Sequence, residues 1–223
     1  MKVGFVVAME SEYAPFLGRL GKVVSEVRLS GVNFCVYELE GRTVVLAQCG
    51  IGEIASSVAT GVLIAHFCCD YIVNFGLVGS LGGSSVCSVV AVKDVVHYDS
   101  DLTAFGHAVG APADFSEAYF AADQKRLSLL VSDGLPALRL ASGDKFIADS
   151  FLKNKLKADF SADICDMEGA GVALTCARAG VPFTMIKVVS DDAGEGAVSS
   201  FESAKLSGFS VAVDIVLSVI KES

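Results

Sequence analysis

Acidic residues recur in this sequence where strands would end and helices begin. Ala8-Met9-Glu10-Ser11-Glu12 follows the apolar run Val3–Val7, and Asp166-Met167-Glu168-Gly169-Ala170-Gly171 heads a helical segment rich in small residues. Ser190-Asp191-Asp192 follows Phe183–Val189. Singly, each motif also suits a helix N-terminus or an Asx turn, and Glu10 is read as no more than that. Together, Glu12, Glu168 and Asp191 place three carboxylates at the strand-end edge of an α/β sheet, where ligands bind in such folds. No basic residue stands within the three motifs. This set suits cleavage of a bond from a sugar C1′ to a leaving group, through an oxocarbenium-like transition state. One acid protonates the leaving group, a second carboxylate activates water, and a third holds the sugar hydroxyls. The acid then needs a raised pKa, which burial and neighbouring negative charge provide.

Other candidates are less specific. Gly50-Ile51-Gly52, between a strand and a helix, can offer backbone N–H groups to an anion, but it lacks the Lys-Ser/Thr ending of a Walker loop and is not a full GxGxxG. His66 and His97 have no complete metal or triad set around them in sequence and read as core or surface residues. No metal and no cofactor are expected. Ser142-Gly143-Asp144-Lys145-Phe146-Ile147 reads as a turn, with Phe146 in the core. The seven cysteines are odd in number, include no CxxC pair, and read as small buried hydrophobes of a reducing, cytoplasmic compartment.

The elements that must position these residues alternate. Strands are expected at Val3–Val7, Phe34–Glu38, Thr43–Gln48, Tyr71–Phe75, Val89–Tyr98 and Phe183–Val189, and helices at Glu10–Leu20, Glu53–Phe67, Glu117–Ser132, Phe151–Lys157, Glu168–Ala179 and Phe201–Lys221. Asp99–Ser116, with Gly106, Gly110 and Pro112, is expected to be a long loop. Several strands lack alternation, which predicts a sheet covered on both faces by helices, over one domain spanning residues 1–223. The net charge of −9 (Lys+Arg 17, Asp+Glu 26) opposes binding to a phosphate backbone and excludes nucleic acid as a partner. Mean hydropathy is high at +0.57, yet no stretch reaches the roughly 18 apolar residues of a membrane span.

In combination the motifs carry a resemblance. The order Ala8–Glu12, Cys49–Gly52, Tyr98–Gly106, Ser142–Ile147, Asp166–Glu168 and Ser190-Asp191 resembles the bacterial 5′-methylthioadenosine/S-adenosylhomocysteine nucleosidases of the purine nucleoside phosphorylase superfamily, from the first strand to the last helix. The resemblance implies a three-layer α/β/α sandwich with a central mixed sheet, and hydrolysis of the N-glycosidic bond. It implies Asp191 as the acid to adenine N7, oriented by Ser190, and Glu12 as the base on water. Glu168 would accept from the ribose hydroxyls, Met167 pack on the sugar, Phe146 stack on adenine, and the Ile147 backbone read the adenine edge. Ile51 and Phe201 would line the 5′ pocket. Leu102, Phe105, His107 and Pro112 would complete it from the neighbouring subunit of a homodimer. The chain departs from the family at Leu77, where a serine is usual, at Ser80, where a glycine is usual, and at Lys187, where an arginine is common. Alternatives are a phosphorylase, a futalosine or aminodeoxyfutalosine hydrolase, and a nucleoside-binding protein without catalysis.

Overall fold

The computed structural model describes residues 1–204 and 209–222. Its strands are β1 (Lys2–Val7), β2 (Val23–Leu29), β3 (Val32–Leu39), β4 (Arg42–Gln48), β5 (Tyr71–Ser80), β6 (Val89–His97), β7 (Tyr119–Ala121), β8 (Ala137–Ser142), β9 (Ile164–Asp166) and β10 (Phe183–Asp191). The helices are α1 (Glu10–Tyr13), α2 (Glu53–Ala65), α3 (Gln124–Ser132), α4 (Ser150–Phe160), α5 (Gly169–Ala179), α6 (Ala197–Ala204) and α7 (Phe209–Glu222). One mixed sheet runs β10-β6-β8-β9-β5-β1-β4-β3-β2, with β7 on the edge of β6. An additional β10–β5 pairing closes β5, β9, β8, β6 and β10 into a ring. Among the described residues no helix is long and apolar enough to cross a membrane.

The strand expected at Tyr71–Phe75 runs on to Ser80 as β5, all ten residues of which are buried, parallel to both β1 and β10. A strand covered on both faces needs no polar face, which is why its sequence shows none. On one face Phe5, Phe16, Phe75 and Phe209 form a chain of edge-to-face rings, with centroids 4.8, 5.3 and 5.6 Å apart, that seats α7. On the other, Ala59 and Leu63 of α2 and Ala170, Val172 and Ala173 of α5 pack against the sheet. Helices α2 and α5 cross closely: a Cβ built on Gly171 would meet Ser56 Oγ at 2.3 Å and the Glu53 carbonyl at 2.4 Å.

Several expected elements are corrected. The helix expected over Glu10–Leu20 is the single turn α1 followed by a 3₁₀ turn at Ala14–Phe16 carrying Pro15, and the chain leaves helical geometry at Leu17. In Glu117–Ser132 the first part is β7, paired with Asp94–Val96 of β6; α3 starts only after Asp123, whose carboxylate accepts from the Arg126 N–H at 2.7 Å. The helix expected over Phe201–Lys221 is α6 and α7, and residues 205–208 lie outside the described residues. Strands β2, β8 and β9 were not expected: β2 is exposed along nearly its whole length and so lacks an apolar period, β8 (ALRLAS) has no β-branched or aromatic residue to mark it, and β9 is three residues long. Cys68 and Cys87 are exposed, against the expectation of buried thiols, whereas Cys69, Cys165 and Cys176 are buried.

Gly171→Ala is expected to destabilise the protein by about 1–3 kcal/mol through overpacking, despite alanine's higher helix propensity. Equilibrium urea unfolding measures it, and a stabilised variant would contradict the close crossing.

Candidate active site

The ends of β1, β5, β9 and β10, the turn after β4 and the loop after β8 converge on one cavity of about 310 Å³, within the range of small-molecule sites. Its lining includes Met9, Glu12, Ile51, Leu77, Phe146, Ile147, Met167, Glu168, Ser190, Asp191 and Phe201, so nine of the expected site residues meet here. Phe146 is half-exposed at the mouth and meets Phe201 edge-on at 5.6 Å, so it is not the core residue that its turn alone suggested. Leu102, Phe105, His107 and Pro112 lie on the long loop before β7 and are not among the lining residues; Phe105 is 82% exposed.

Glu12 is brought in by the short turn between β1 and α1 and is buried. Its Oε2 accepts from the N–H groups of Met9 (2.9 Å) and Ala8 (3.2 Å), and its Oε1 from Leu77 N–H (2.9 Å). Burial nonetheless raises its pKa above the ordinary 4.5, outweighing those donors and the charge of Lys187. Glu168 caps α5, and Gly52 donates its N–H to Oε1 at 2.8 Å. Gly52 has φ +107°, a conformation that only glycine adopts freely, so the Gly50–Gly52 turn does present an N–H outward, and the oxygen it meets belongs to the protein's own Glu168. Burial, and then the charge of Asp166, push the Glu168 carboxyl up to about 8.

Asp191 owes its placement to a β-bulge. The β10–β5 register shifts between Val189, opposite Val78, and Asp191, opposite Gly79. Ser190 is the extra residue, and the bulge lets two consecutive side chains line one cavity, which strand alternation forbids. Ser190 Oγ lies 2.6 Å from Asp191 Oδ2, and Ala193 donates its N–H to Oδ1 at 2.8 Å. Burial, the largest influence, raises the Asp191 pKa against both hydrogen bonds.

Beneath the cavity lies a residue that sequence reasoning passed over except as a departure. Lys187, fully buried in β10, donates to Asp166 Oδ2 at 2.7 Å, with both side chains about 1% exposed. Burial disfavours its charge, but Asp166, Glu168 and Glu12 together outweigh burial and raise its pKa. The carboxylates thus do have a basic neighbour, invisible in the motifs because it arrives from another strand. His97, expected to be a core or surface residue, sits between Glu53 and Asp99.

A family model for the phosphorylase superfamily matches residues 2–220. A 5′-methylthioadenosine/S-adenosylhomocysteine nucleosidase from Shewanella sp. (strain MR-7) is 32% identical over 211 residues, covering 91% of this chain and 89% of that protein. The chain belongs to this nucleosidase family of the phosphorylase superfamily. Among solved structures, a Helicobacter pylori nucleosidase mutant holding 5′-methylthioadenosine in its active site is similar with a TM-score of 0.93 at 26% identity, over 100% of this chain and 99% of that one. The futalosine hydrolase of the same organism is similar with a TM-score of 0.94 at 26% identity, over 100% and 98%. This nucleosidase is therefore an N-glycosyl hydrolase with the fold that its motifs implied.

Two outcomes test these electrostatics. Lys187→Met leaves Asp166 buried and unpaired, and is expected to cost about 3–5 kcal/mol in urea unfolding, largely recovered in Lys187→Met/Asp166→Leu. A carboxyl whose pKa is raised on folding binds more protons folded than unfolded, so stability falls as pH rises from the ordinary 4.5 towards about 8. Glu168→Gln should flatten that part of the wild-type stability–pH curve; an unchanged slope would show that Glu168 is not its source.

Proposed function

We propose that this nucleosidase hydrolyses the N-glycosidic bond of 5′-methylthioadenosine and S-adenosylhomocysteine, releasing adenine and the 5-thioribose product. The observation that carries the reading is the meeting of Glu12, Glu168 and Asp191 around one cavity that also has Phe146 and Ile147 in its wall. Asp191 gives its proton to adenine N7, and the electrons of the C1′–N9 bond pass into the departing ring. Its raised pKa keeps that proton available, and Ser190 fixes the carboxyl's direction. Glu12 takes a proton from water as the water oxygen attacks C1′; burial makes it a stronger base than an exposed glutamate. Glu168 accepts from the ribose hydroxyls and so fixes the sugar as its C1′–N9 bond breaks. Met167 packs on the sugar, Phe146 stacks on adenine, and the Ile147 backbone reads its edge. Ile51 and Phe201 line the 5′ side.

Water is favoured over phosphate as the nucleophile. Phosphate needs convergent cationic or N–H donors. Here the Lys187 ammonium is committed to Asp166, the Leu77 N–H to Glu12, and the Gly52 N–H to Glu168. Lys145, at the mouth, is the cation in the cavity lining. We place the enzyme in the reducing cytoplasm, where its seven unpaired cysteines stay thiols, and as a homodimer in which Leu102, Phe105, His107 and Pro112 of each subunit close the other's 5′ pocket. A futalosine-type 5′ substituent is the second reading, favoured by the structural likeness to a futalosine hydrolase.

Adenine release from methylthioadenosine in phosphate-free buffer is the direct test, and strict dependence on phosphate would overturn the hydrolytic reading. A panel with S-adenosylhomocysteine and aminodeoxyfutalosine ranks the 5′ groups. Asp191→Asn should lose about 10²–10⁴-fold in kcat while still binding substrate, and Glu12→Gln should likewise lose turnover and spare affinity.

A further inference from the structure

A second charged cluster, outside the cavity, joins three segments that carry site residues. His97 ends β6, Asp99 opens the loop bearing Leu102, Glu53 heads α2 next to Gly52, and Asp144 stands two residues before Phe146. His97 Nε2 lies 2.7 Å from Glu53 Oε2 and 2.7 Å from Asp99 Oδ1. Glu53 N–H donates to Asp144 Oδ1 at 2.7 Å, and Asp144 N–H to Asp99 Oδ2 at 3.2 Å. The segments are seated tightly: a Cβ on Gly143 would fall 2.6 Å from the Tyr98 ring and 2.9 Å from the Asp99 carboxyl carbon. From the same turn, Gly52 N–H reaches Glu168. A continuous set of bonds therefore runs from the imidazole to a carboxylate of the cavity.

We propose that His97, as a cation, is a positioning residue for nucleoside binding, clamping the Gly50–Glu53 turn, the end of β6 and the 143–147 loop so that Glu168, Ile51, Phe146 and Ile147 face the substrate together. This rests on the nucleoside hydrolysis proposed above. The clamp has a simple electrostatic cause. Glu53 and Asp99 bring two carboxylates to one imidazole nitrogen from two segments, Asp144 on a third adds its charge beside Glu53, and without a cation their repulsion works against holding those segments together. A lone pair on Nε2 would face two carboxylate oxygens, so this nitrogen carries the proton. Glu53 from α2 and Asp99 from the strand end are the charges that face His97, and Asp144 faces Glu53. Burial opposes the imidazolium, and the two carboxylates outweigh it, raising the His97 pKa above the ordinary 6.5. The charge therefore persists to higher pH than on a free imidazole and is lost as pH rises through the raised value.

The test is KM and kcat for adenine release from methylthioadenosine between about pH 6 and about pH 9, for wild type, His97→Gln and His97→Lys. At neutral pH His97→Gln should raise KM about tenfold, the loss of one charge-assisted hydrogen bond, with kcat within about twofold. The variant-to-wild-type KM ratio should fall towards one at alkaline pH, as the wild type loses the same charge. His97→Lys, which stays charged, should restore a low KM and hold it there. If His97→Gln leaves KM and its pH course unchanged, or lowers kcat alone, the proposal fails. The three donor atoms also lie within 4.8 Å of one another, close enough for one cation. A chelator-treated wild type that behaves like His97→Gln and is rescued by zinc would replace the imidazolium with a metal ion and overturn the proposal. Should both variants fail to fold, the wild-type KM decides: it rises with pH if the clamp operates, and a flat KM overturns it. A wild type that releases no adenine removes the proposed function and this inference with it; an active wild type with an indifferent His97 removes this inference alone.

Discussion

Burying carboxylates beside one another is the constraint on which the rest of this structure depends. An unpaired charge taken from water costs several kcal/mol, and here Glu12, Asp166, Glu168 and Asp191 crowd one region of the sheet. Each is accommodated differently. Asp166 takes the buried ammonium of Lys187; Glu12 takes three backbone N–H groups; Asp191 takes a hydroxyl and an N–H. Glu168 is withdrawn from water with a single backbone donor, and the charge of Asp166 adds to that burial, so it answers by holding its proton more tightly. Different partners for the same chemical group give carboxyls of different proton affinity around one cavity, which acid–base chemistry at a sugar requires.

The scaffold's rigidity follows from the same requirement. A donor set built from backbone N–H groups works only if strand ends are held in place. The buried β5, the ring of strands it closes with β10, and the tight α2–α5 crossing supply that hold. The bulge at Ser190 is the one irregularity in β10's pairing with β5, and it falls where two adjacent side chains must face the same way.

Leu77 illustrates how the backbone protects a site from substitution. The resemblance leads one to expect serine at this position, and here the side chain is apolar. Yet the group that reaches Glu12 is the Leu77 N–H, which any residue but proline supplies. Lys187 keeps the positive charge expected at its position, but as a compact ammonium that meets one Asp166 oxygen where arginine can offer a planar fork.

The fold class and the central strands were legible in the sequence because burial on both faces leaves a largely apolar run without alternation, as in Tyr71–Phe75, while Gly76, Gly79 and Ser80 hid the second half of β5. Glu12, Glu168 and Asp191 were legible as candidates because strand ends and helix starts mark themselves with Gly, Ser and acidic residues. Short or edge elements were not: β2 has no buried face to impose a period, and β7 competes with a helical pattern that only pairing with β6 overrules. Nor were the partners of the carboxylates legible. Lys187 meets Asp166 across 21 residues, Gly52 meets Glu168 across 116, and His97 meets Glu53 from a different segment. Residue types and local spacing come from the sequence itself, so it determined which groups could do the chemistry. Proton affinities depend on burial and on through-space neighbours from distant strands, so only the tertiary structure decided which of them hold a proton and against what charge.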